Sequence, residues 1–221
     1  MVRDFISLIF PQNCINCQQS LISEEKYLCT GCKIDLPLTN DYQNESNDLF
    51  AKFSFESKVK TANAFLYFHQ RGVTQKLLHQ LKYNRKKDIG VVLGSWFAPQ
   101  LTNLEIDFIV PVPLHRSKLR KRTFNQSEQI ASGISEELNV EVKHQLVKRI
   151  IATKTQTRKS KVERWENMEN VYSEIKEDIS NTSALVVDDV ITTGATTGML
   201  CQRLVEAGVG QIHIACIARG K

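Results

Sequence analysis

The sequence of 221 residues lacks any apolar run of the roughly 20 residues that a membrane-spanning helix needs. It also lacks internal repeats and low-complexity segments. An apolar patch at residues 5–10 is too short for the core of a secretory signal, and no small-residue cleavage site follows it. With 42% hydrophobic and 24% charged residues, the composition is that of a globular protein. We therefore expect a soluble, cytoplasmic protein without a membrane span.

Acidic residues are scarce in one long basic stretch. The net charge is +5, but residues 111–161 hold 12 Lys or Arg against four Glu and no Asp, so this stretch is more positive than the whole chain. Within it, residues 143–161 carry seven cations and no acid. Such blocks are either solvated faces that attract polyanions nonspecifically or binding sites for phosphate-rich ligands. The composition alone leaves both interpretations open.

Four of the six cysteines form two CxxC pairs with eleven residues between them, namely Cys14, Cys17, Cys29 and Cys32. A CxxC turn directs two thiolates to one point, and two such turns supply the tetrahedral sulfur set that Zn²⁺ prefers. Because every ligand position is a cysteine, no coordination position stays open for catalysis, and we predict a structural zinc site. Disulfides are the alternative, which a reducing compartment disfavours. Cys201 and Cys216 have apolar neighbours and are expected in the core.

Apolar runs typical of buried strands alternate with helical patterns along the rest of the chain. The runs lie at residues 64–68, 106–110, 185–187 and 212–217, and the spacing of Val73, Leu77, Leu78 and Leu81 is that of a helix face. This alternation predicts an α/β fold with a parallel sheet covered by helices. A polar stretch suggests three parts: a zinc-binding segment at 1–40, a linker at 41–60 and an α/β domain at 61–221.

Ligands of open α/β sheets bind beyond the carboxyl ends of the strands. Asp188 and Asp189 end one predicted strand, and residues 192–197, rich in threonine, then open a helix. Paired carboxylates at the rim of the sheet accept hydrogen bonds from vicinal hydroxyls, such as those of a ribose, or hold a divalent cation. The free N–H groups and threonine hydroxyls of the loop form a nest for a phosphate. The sequence thus favours a sugar phosphate, and a helix cap without a ligand is the alternative.

The stretch VVDDVITTGAT at residues 186–196 resembles the phosphoribosyl pyrophosphate (PRPP) signature of type I phosphoribosyltransferases. The resemblance implies that Asp188 and Asp189 are the acids of the catalytic site and engage the ribose 2′- and 3′-hydroxyls. It implies Mg²⁺ together with PRPP. It also assigns the 5′-phosphate to the loop, through Thr192, Thr193, Gly194, Ala195 and Thr196.

The order of several motifs narrows the resemblance. The double CxxC is followed by LKY at 81–83, PVPLHRSKLRKRTFNQ at 111–126, QTRKSKVERWEN at 156–167 and the signature. This order resembles the ComF family of competence proteins over nearly the whole chain. It implies a type I phosphoribosyltransferase fold with an N-terminal zinc finger. The implied residues of the pyrophosphate side and of a hood that closes over the site are Lys82, His115, Arg116, Arg120, Arg122, Arg158, Lys159, Lys161 and Arg164.

Some alternatives stay open within this resemblance. Lys118 and Lys121 suit solvated positions, and the cations of the hood suit a surface loop without ligand contacts equally well. The chain also departs from the family pattern twice. Thr123 stands where glycine is usual, which puts the turn near the pyrophosphate side in doubt because threonine resists a positive φ. Residues 170–172, Asn-Val-Tyr, stand where Gly-Ala-Phe is usual.

The resemblance implies a PRPP-binding protein that takes part in natural transformation, the uptake of DNA. Its expected partners are PRPP, single-stranded DNA and proteins of the DNA-uptake machinery. The alternative is an active phosphoribosyltransferase, or an amidophosphoribosyltransferase-like enzyme, of nucleotide or base salvage. Only Phe124 and Trp165 are available to stack bases among the cations, which weakens a DNA-binding platform. The acceptor of any transfer is not encoded in a recognisable motif.

Overall fold

A computed structural model describes residues 12–44, 46–83, 86–151 and 171–220. The helices of this part are α1 (Thr30–Ile34), α2 (Asp48–Ala51), α3 (Val73–Tyr83), α4 (Asp88–Phe97), α5 (Arg116–Arg122), α6 (Gln126–Leu138) and α7 (Ala195–Glu206). The strands are β1 (Val59–Tyr67), β2 (Phe108–Pro111), β3 (Glu141–Val142), β4 (Ser183–Ile191) and β5 (Gln211–Arg219). None of the helices in these ranges combines the length and the apolar composition needed to span a bilayer.

The five strands form one sheet in the order β1-β5-β4-β2-β3, and every adjacent pair is parallel. In β5, which lies between β1 and β4, every residue after Gln211 is buried, because helices and loops cover both faces of the sheet. The predicted parallel, helix-covered sheet is confirmed. The strand that carries the acid pair is longer than its apolar run predicts, since the ladder with β5 continues through Asp188 to Ile191.

One face of the sheet is covered by α4 and α6, which pack closely against each other. A Cβ atom at Gly94 or at Gly133 would overlap the backbone of the opposite helix, so only glycine permits this approach. Ile130 and Ile134 of α6 are fully buried between this helix pair and the sheet. The contact fixes α6, whose first turn reaches the carboxyl end of the sheet.

The cysteine-containing segment shares the core of the same face. Cys14, Leu28 and Leu36 are buried in one cluster with Phe65 and Leu66 of β1. The segment also contacts α3, where the ammonium of a lysine, Lys76, donates to the main-chain and side-chain oxygens of Asn16 at 3.1 and 2.9 Å. The N-terminal segment is therefore attached to the α/β part by both apolar and polar contacts.

The polar stretch predicted as a linker is packed against the sheet. Asp41 is 3% exposed and accepts two hydrogen bonds of 2.9 Å from the guanidinium of Arg219, while Asn47 donates to Ala62 O at 2.9 Å. Leu49 and Phe53 are buried in the second core cluster. These polar side chains form hydrogen bonds with buried groups. From composition alone, such residues are expected to be exposed to solvent. How the chain divides into domains stays a prediction.

Cys201 and Cys216 are each 1% exposed, at the second face of the sheet. Burial raises the pKa of both thiols. Their expected place in the core is confirmed.

Candidate functional site

A cavity of about 190 Å³ lies at the carboxyl end of the sheet. It joins four parts of the chain: the end of α3, the segment after β2 with α5, the residue Arg149, and the turn from β4 into α7. The lining residues are Lys82, Val112, Leu114, Lys118, Arg122, Arg149, Asp188, Asp189, Val190, Ile191, Thr192, Thr193, Gly194, Ala195, Thr196 and Thr197. The signature from Asp188 to Thr196 therefore lines one cavity together with four cations.

Asp188 is held by hydrogen bonds to both carboxylate oxygens. Ser127 Oγ donates to Oδ1 at 3.1 Å, Thr197 Oγ1 donates to Oδ2 at 3.2 Å, and the N–H of Asp189 donates to Oδ1 at 2.8 Å. Burial, followed by the neighbouring charge of Asp189, raises the pKa of Asp188 to about 7 although these hydrogen bonds lower it. Burial beside a second carboxylate therefore makes Asp188 easier to protonate than a solvent-exposed aspartate.

Asp189 is paired with a lysine from α3. Lys82 Nζ lies 2.7 Å from Asp189 Oδ2, and both side chains are mostly buried. The other oxygen, Oδ1, accepts from the N–H of Val190 at 2.8 Å. The lysine of the LKY motif, predicted on the pyrophosphate side, thus lies at the acid pair in this structure.

The turn after β4 leaves the N-terminus of α7 open to the cavity. Gly194 has φ 79°, in the left-handed region, and directly precedes the helix. As the N-cap residue, Gly194 has no side chain that could accept a hydrogen bond from the first turn of α7. Thr193 Oγ1 accepts a long hydrogen bond of 3.4 Å from the N–H of Ala195. The first N–H groups of a helix of twelve residues therefore face the cavity beside threonine hydroxyls.

Three further cations, Lys118, Arg122 and Arg149, line the same cavity. Burial, followed by the charges of Arg149 and Arg122, lowers the pKa of Lys118. Arg122 Nη1 also donates to Gln126 Oε1 at 2.8 Å, which fixes this guanidinium at the start of α6. The cavity therefore contains both the acid pair and a group of cations.

Two of these cations were not expected at the site. Lys118 was predicted to be solvated. The residue is exposed, but it also lines the cavity. Arg149 belongs to the basic stretch 143–161 but carries no local motif. It reaches the cavity because residue 149 forms an antiparallel bridge with Tyr172, more than twenty residues away in sequence. In the sequence, only the positive charge of the stretch 143–161 indicated that Arg149 could bind a ligand.

The other predicted cations are placed differently. His115 caps α5, with Nδ1 accepting from the N–H of Ser117 at 3.2 Å, and neither it nor Arg116 nor Arg120 lines the cavity. All seven residues of α5 lie at the surface, and none of them is buried. The predicted hood residues Arg158, Lys159, Lys161 and Arg164 lie outside the described residues, as does Trp165.

The two departures from the family pattern have structural consequences. Thr123 ends α5 with φ 69°, the left-handed conformation that glycine adopts more easily. Tyr172 is 3% exposed, and its hydroxyl donates to Thr196 O at 3.2 Å. Burial raises the pKa of Tyr172, so the hydroxyl stays protonated and contacts the first turn of α7.

The four cysteines of the CxxC pairs gather at one point. Their sulfur atoms all lie within 4.8 Å of one another, and Cys17 Sγ lies 3.6 Å from Cys29 Sγ. Tetrahedral coordination with metal–sulfur bonds of about 2.3 Å places the sulfurs about 3.8 Å apart. Asn16 Nδ2 also donates to Cys32 Sγ at 3.4 Å. The cluster therefore fits a tetrahedral metal ion such as Zn²⁺.

Known relatives align with most of this chain. The chain is 31% identical to the DNA utilization protein YhgH of Escherichia coli K12 over 150 residues, which is 65% of this chain and 66% of that protein. It is 27% identical to Competence protein F of Haemophilus influenzae over 215 residues, 95% of this chain and 80% of that protein. These relatives confirm the resemblance of the chain to the ComF family. The YhgH alignment covers just under two thirds of that relative's length, and no family model matches the chain.

Solved structures similar to this chain include the glutamine PRPP amidotransferase of B. subtilis, with a TM-score of 0.45, 19% identity and coverage of 62% of this chain and 30% of that chain. A purine phosphoribosyltransferase from Pyrococcus horikoshii has a TM-score of 0.40, 21% identity and coverage of 62% and 76%. The predicted α/β class, a parallel sheet with flanking helices and a four-cysteine cluster in the N-terminal segment, is confirmed by the strand order and the positions of the sulfur atoms.

Proposed function

We propose that this protein binds PRPP together with Mg²⁺. The ribose 2′- and 3′-hydroxyls contact Asp188 and Asp189, the 5′-phosphate lies on residues 192–196, and the pyrophosphate faces Lys118, Arg122 and Arg149. The observation that carries the proposal is that one cavity joins the acid pair, the open N-terminus of α7 and these cations.

The distribution of charge favours such a ligand over a simple polyanion. A phosphate beside the acid pair would be repelled, whereas neutral hydroxyls donate to carboxylates. The N–H groups at the start of α7 and the guanidinium groups suit phosphate oxygens. A phosphorylated ribose with a second anionic group matches all three surfaces. For the four-cysteine cluster we propose Zn²⁺ in a structural role, because the ligand set leaves no open position.

Calorimetry with PRPP and Mg²⁺ tests the ribose assignment. The double variant Asp188→Asn with Asp189→Asn is expected to bind about a hundredfold more weakly, since two charge-assisted hydrogen bonds are lost. Asp178→Asn, an exposed acid hydrogen-bonded to the N–H of Ser180 away from the cavity, is the control and should bind as the unmodified protein does. Undiminished binding by the double variant would contradict the assignment.

We further propose a role in the uptake of DNA during natural transformation, with single-stranded DNA and proteins of the uptake machinery as partners. The support is the naming of the relatives, Competence protein F and DNA utilization protein YhgH. The helix α5 offers a surface for the phosphate backbone, because it holds five cations and has no buried residue.

Salt-dependent anisotropy of labelled single-stranded DNA tests this surface. The triple variant Arg116→Ala, Arg120→Ala and Lys121→Ala removes cations outside the cavity. It is expected to reduce the slope of log affinity against log salt by about 2, because each phosphate contact in single strands contributes about 0.7. Binding that does not change between low and moderate salt would contradict phosphate contacts. PRPP binding serves as the control, since these three residues do not line the cavity.

The second candidate is an active phosphoribosyltransferase or an amidophosphoribosyltransferase-like enzyme of nucleotide or base salvage. The intact acid pair and the cations that line the same cavity favour it. They suit the stabilisation of a leaving pyrophosphate, a reaction that needs no nucleophilic side chain. Release of pyrophosphate from PRPP and Mg²⁺ in the presence of a panel of bases and amines tests it, with the double acid variant as the control. If no acceptor leads to the release of pyrophosphate, this second candidate fails, and the proposal that the protein only binds PRPP is favoured.

A further inference from the structure

The segment around α2 forms the outer support of the turn from β4 into α7. Asn47 caps α2 by accepting from the N–H groups of Leu49 and Phe50 at 2.9 and 3.0 Å. Its amide also donates to Ala62 O of β1 at 2.9 Å, which attaches the segment to the sheet. The segment is therefore held from β1, independently of the turn that it touches.

Phe53 brings this segment into direct contact with the phosphate loop, residues 192–196. It is 1% exposed. A Cβ atom at Gly194 would lie 3.0 Å from Phe53 Cζ, so the ring fills the space beneath the glycine. The loop thus lies on a buried aromatic side chain that its own sequence does not supply.

The residue before Phe53 adds a charge to this contact. Lys52 Nζ donates to the main-chain oxygen of Thr192, the first residue of the phosphate loop. Among the described residues, Lys52 forms no ion pair with an acid, so its charge is not neutralised there. Because the peptide bond is planar and trans, holding the Thr192 carbonyl also fixes the N–H of Thr193, which points away from Lys52.

We propose that Lys52 is a further residue of the phosphate-binding site. It acts as a positioning residue: from outside the cavity it holds the carbonyl of Thr192 and so orients the first peptide of the phosphate loop toward the ligand's 5′-phosphate. The inference rests on the proposed function, since it concerns the same ligand. It also explains why the polar stretch before β1 is packed at this corner of the molecule. The phosphate loop is completed by a segment about 140 residues earlier in the chain.

Calorimetry on three variants tests this role. Lys52→Met removes the charge and the hydrogen bond, Lys52→Arg keeps both, and Lys60→Met is the matched control. Lys60 is an exposed lysine of β1 that also donates to a main-chain oxygen, but that oxygen belongs to Ser57, at 3.1 Å, and not to the phosphate loop. The ligands are PRPP with Mg²⁺, ribose 5-phosphate and inorganic pyrophosphate.

Lys52→Met is expected to weaken the binding of PRPP and ribose 5-phosphate about tenfold, as for the loss of one charge-assisted contact. Pyrophosphate binding should not change, because the proposed contacts of pyrophosphate are Lys118, Arg122 and Arg149 and not the phosphate loop, and unchanged binding shows that the variant is folded. Lys52→Arg should restore most of the affinity, and Lys60→Met should have no effect.

Two other outcomes separate the proposals. If the unmodified protein binds PRPP and ribose 5-phosphate but Lys52→Met binds them equally well, the role of Lys52 is overturned and the proposed function stands. If the unmodified protein binds neither ligand, the proposed function fails, and the role of Lys52 fails with it. Equal weakening of pyrophosphate and ribose 5-phosphate would also overturn the specific role, because it indicates a general change in the cavity.

Discussion

Lys82 Nζ lies 2.7 Å from Asp189 Oδ2, so the last turn of α3 reaches across the cavity to the acid pair on β4. The two side chains are 20% and 15% exposed, which places the ion pair between a surface contact and a buried one. The pair neutralises one of two adjacent carboxylates. Without it, both negative charges would lie together at the end of the sheet.

Replacement of Lys82 by methionine should destabilise the protein by about 1–3 kcal/mol at neutral pH, because Asp189 is left partly buried without its cation. Denaturant unfolding measures the change. The double variant Lys82→Met with Asp189→Asn should recover most of the loss, since the orphaned charge is then removed.

Lys121→Met, on the exposed face of α5, is the control for this comparison and should change stability little. If the stability changes of the two substitutions simply add, so that Asp189→Asn recovers none of the loss, Lys82 stabilises the protein through contacts other than the ion pair.

The raised pKa of Asp188 predicts a pH-dependent stability. Its value of about 7 in the native state exceeds the value near 3.9 of an unfolded aspartate, so the native state retains a proton that the unfolded chain has released. The free energy of unfolding should therefore fall as the pH rises from about 4 to 7 and level off above that. The difference between the unmodified protein and Asp188→Asn isolates this contribution.

Asp178→Asn serves as a control of opposite sign. Hydrogen bonds from the N–H and side chain of Ser180 lower the pKa of Asp178, so its contribution is lost only below about pH 4. This variant should show no trend relative to the unmodified protein between pH 4 and 7. A rise in stability over that window for the unmodified protein relative to Asp188→Asn would contradict a raised pKa at Asp188.

The left-handed conformation of Thr123 predicts that glycine is better at this position. Thr123→Gly should stabilise the protein by about 0.5–1 kcal/mol, because the relief of strain at φ 69° exceeds the entropy that glycine adds to the unfolded chain. Thermal and denaturant unfolding measure the gain. Asn139→Gly at the end of α6 is the matched control: its φ is 54°, but asparagine tolerates this region, so a smaller gain is expected. Destabilisation by Thr123→Gly would show that the threonine side chain contributes more than the strain costs.

Removal of the metal should destabilise not only the cysteine-containing segment but also the α/β part that packs against it. Metal analysis is expected to find about one Zn²⁺ per chain, and Cys17→Ser should abolish it. Because Cys14, Leu28 and Leu36 share a core with β1, loss of the ion should lower the Tm by about 5 °C or more. The control is the variant Cys201→Ala, which should retain the zinc ion because Cys201 lies in the other core cluster. A full zinc content in Cys17→Ser would contradict the four-cysteine site.

Local patterns in the sequence predicted the features whose partners are close along the chain. The alternation of apolar runs and helical spacing predicted the parallel sheet, and the two CxxC pairs predicted the four-cysteine cluster. Asp188, Asp189 and the phosphate loop lie together because one turn of the chain carries them all. In each case a short stretch holds both the residues and the turn that orients them.

Contacts between distant parts of the chain were not predictable in this way. Ser127 reaches Asp188 only because α6 packs its glycine face against α4, and Arg149 lines the cavity through its bridge to Tyr172. Asp41 and Asn47 look solvated in sequence, yet each satisfies a buried partner. Composition alone predicts that such residues are exposed to solvent, because no residue nearby in the sequence identifies their hydrogen-bond partner.

The position of β5 in the sheet has a consequence for how the protein is made. It pairs with both β1 and β4, although it follows every other strand along the chain. At a synthesis rate of about 5–20 residues per second, β1 waits roughly 7–30 s after its own synthesis for this neighbour. During that interval β1 has an unpaired apolar edge, and β4 has one as well once residue 191 has been added. Because such edges are the usual template for aggregation, the nascent chain is most exposed to aggregation before residue 219 is available for pairing.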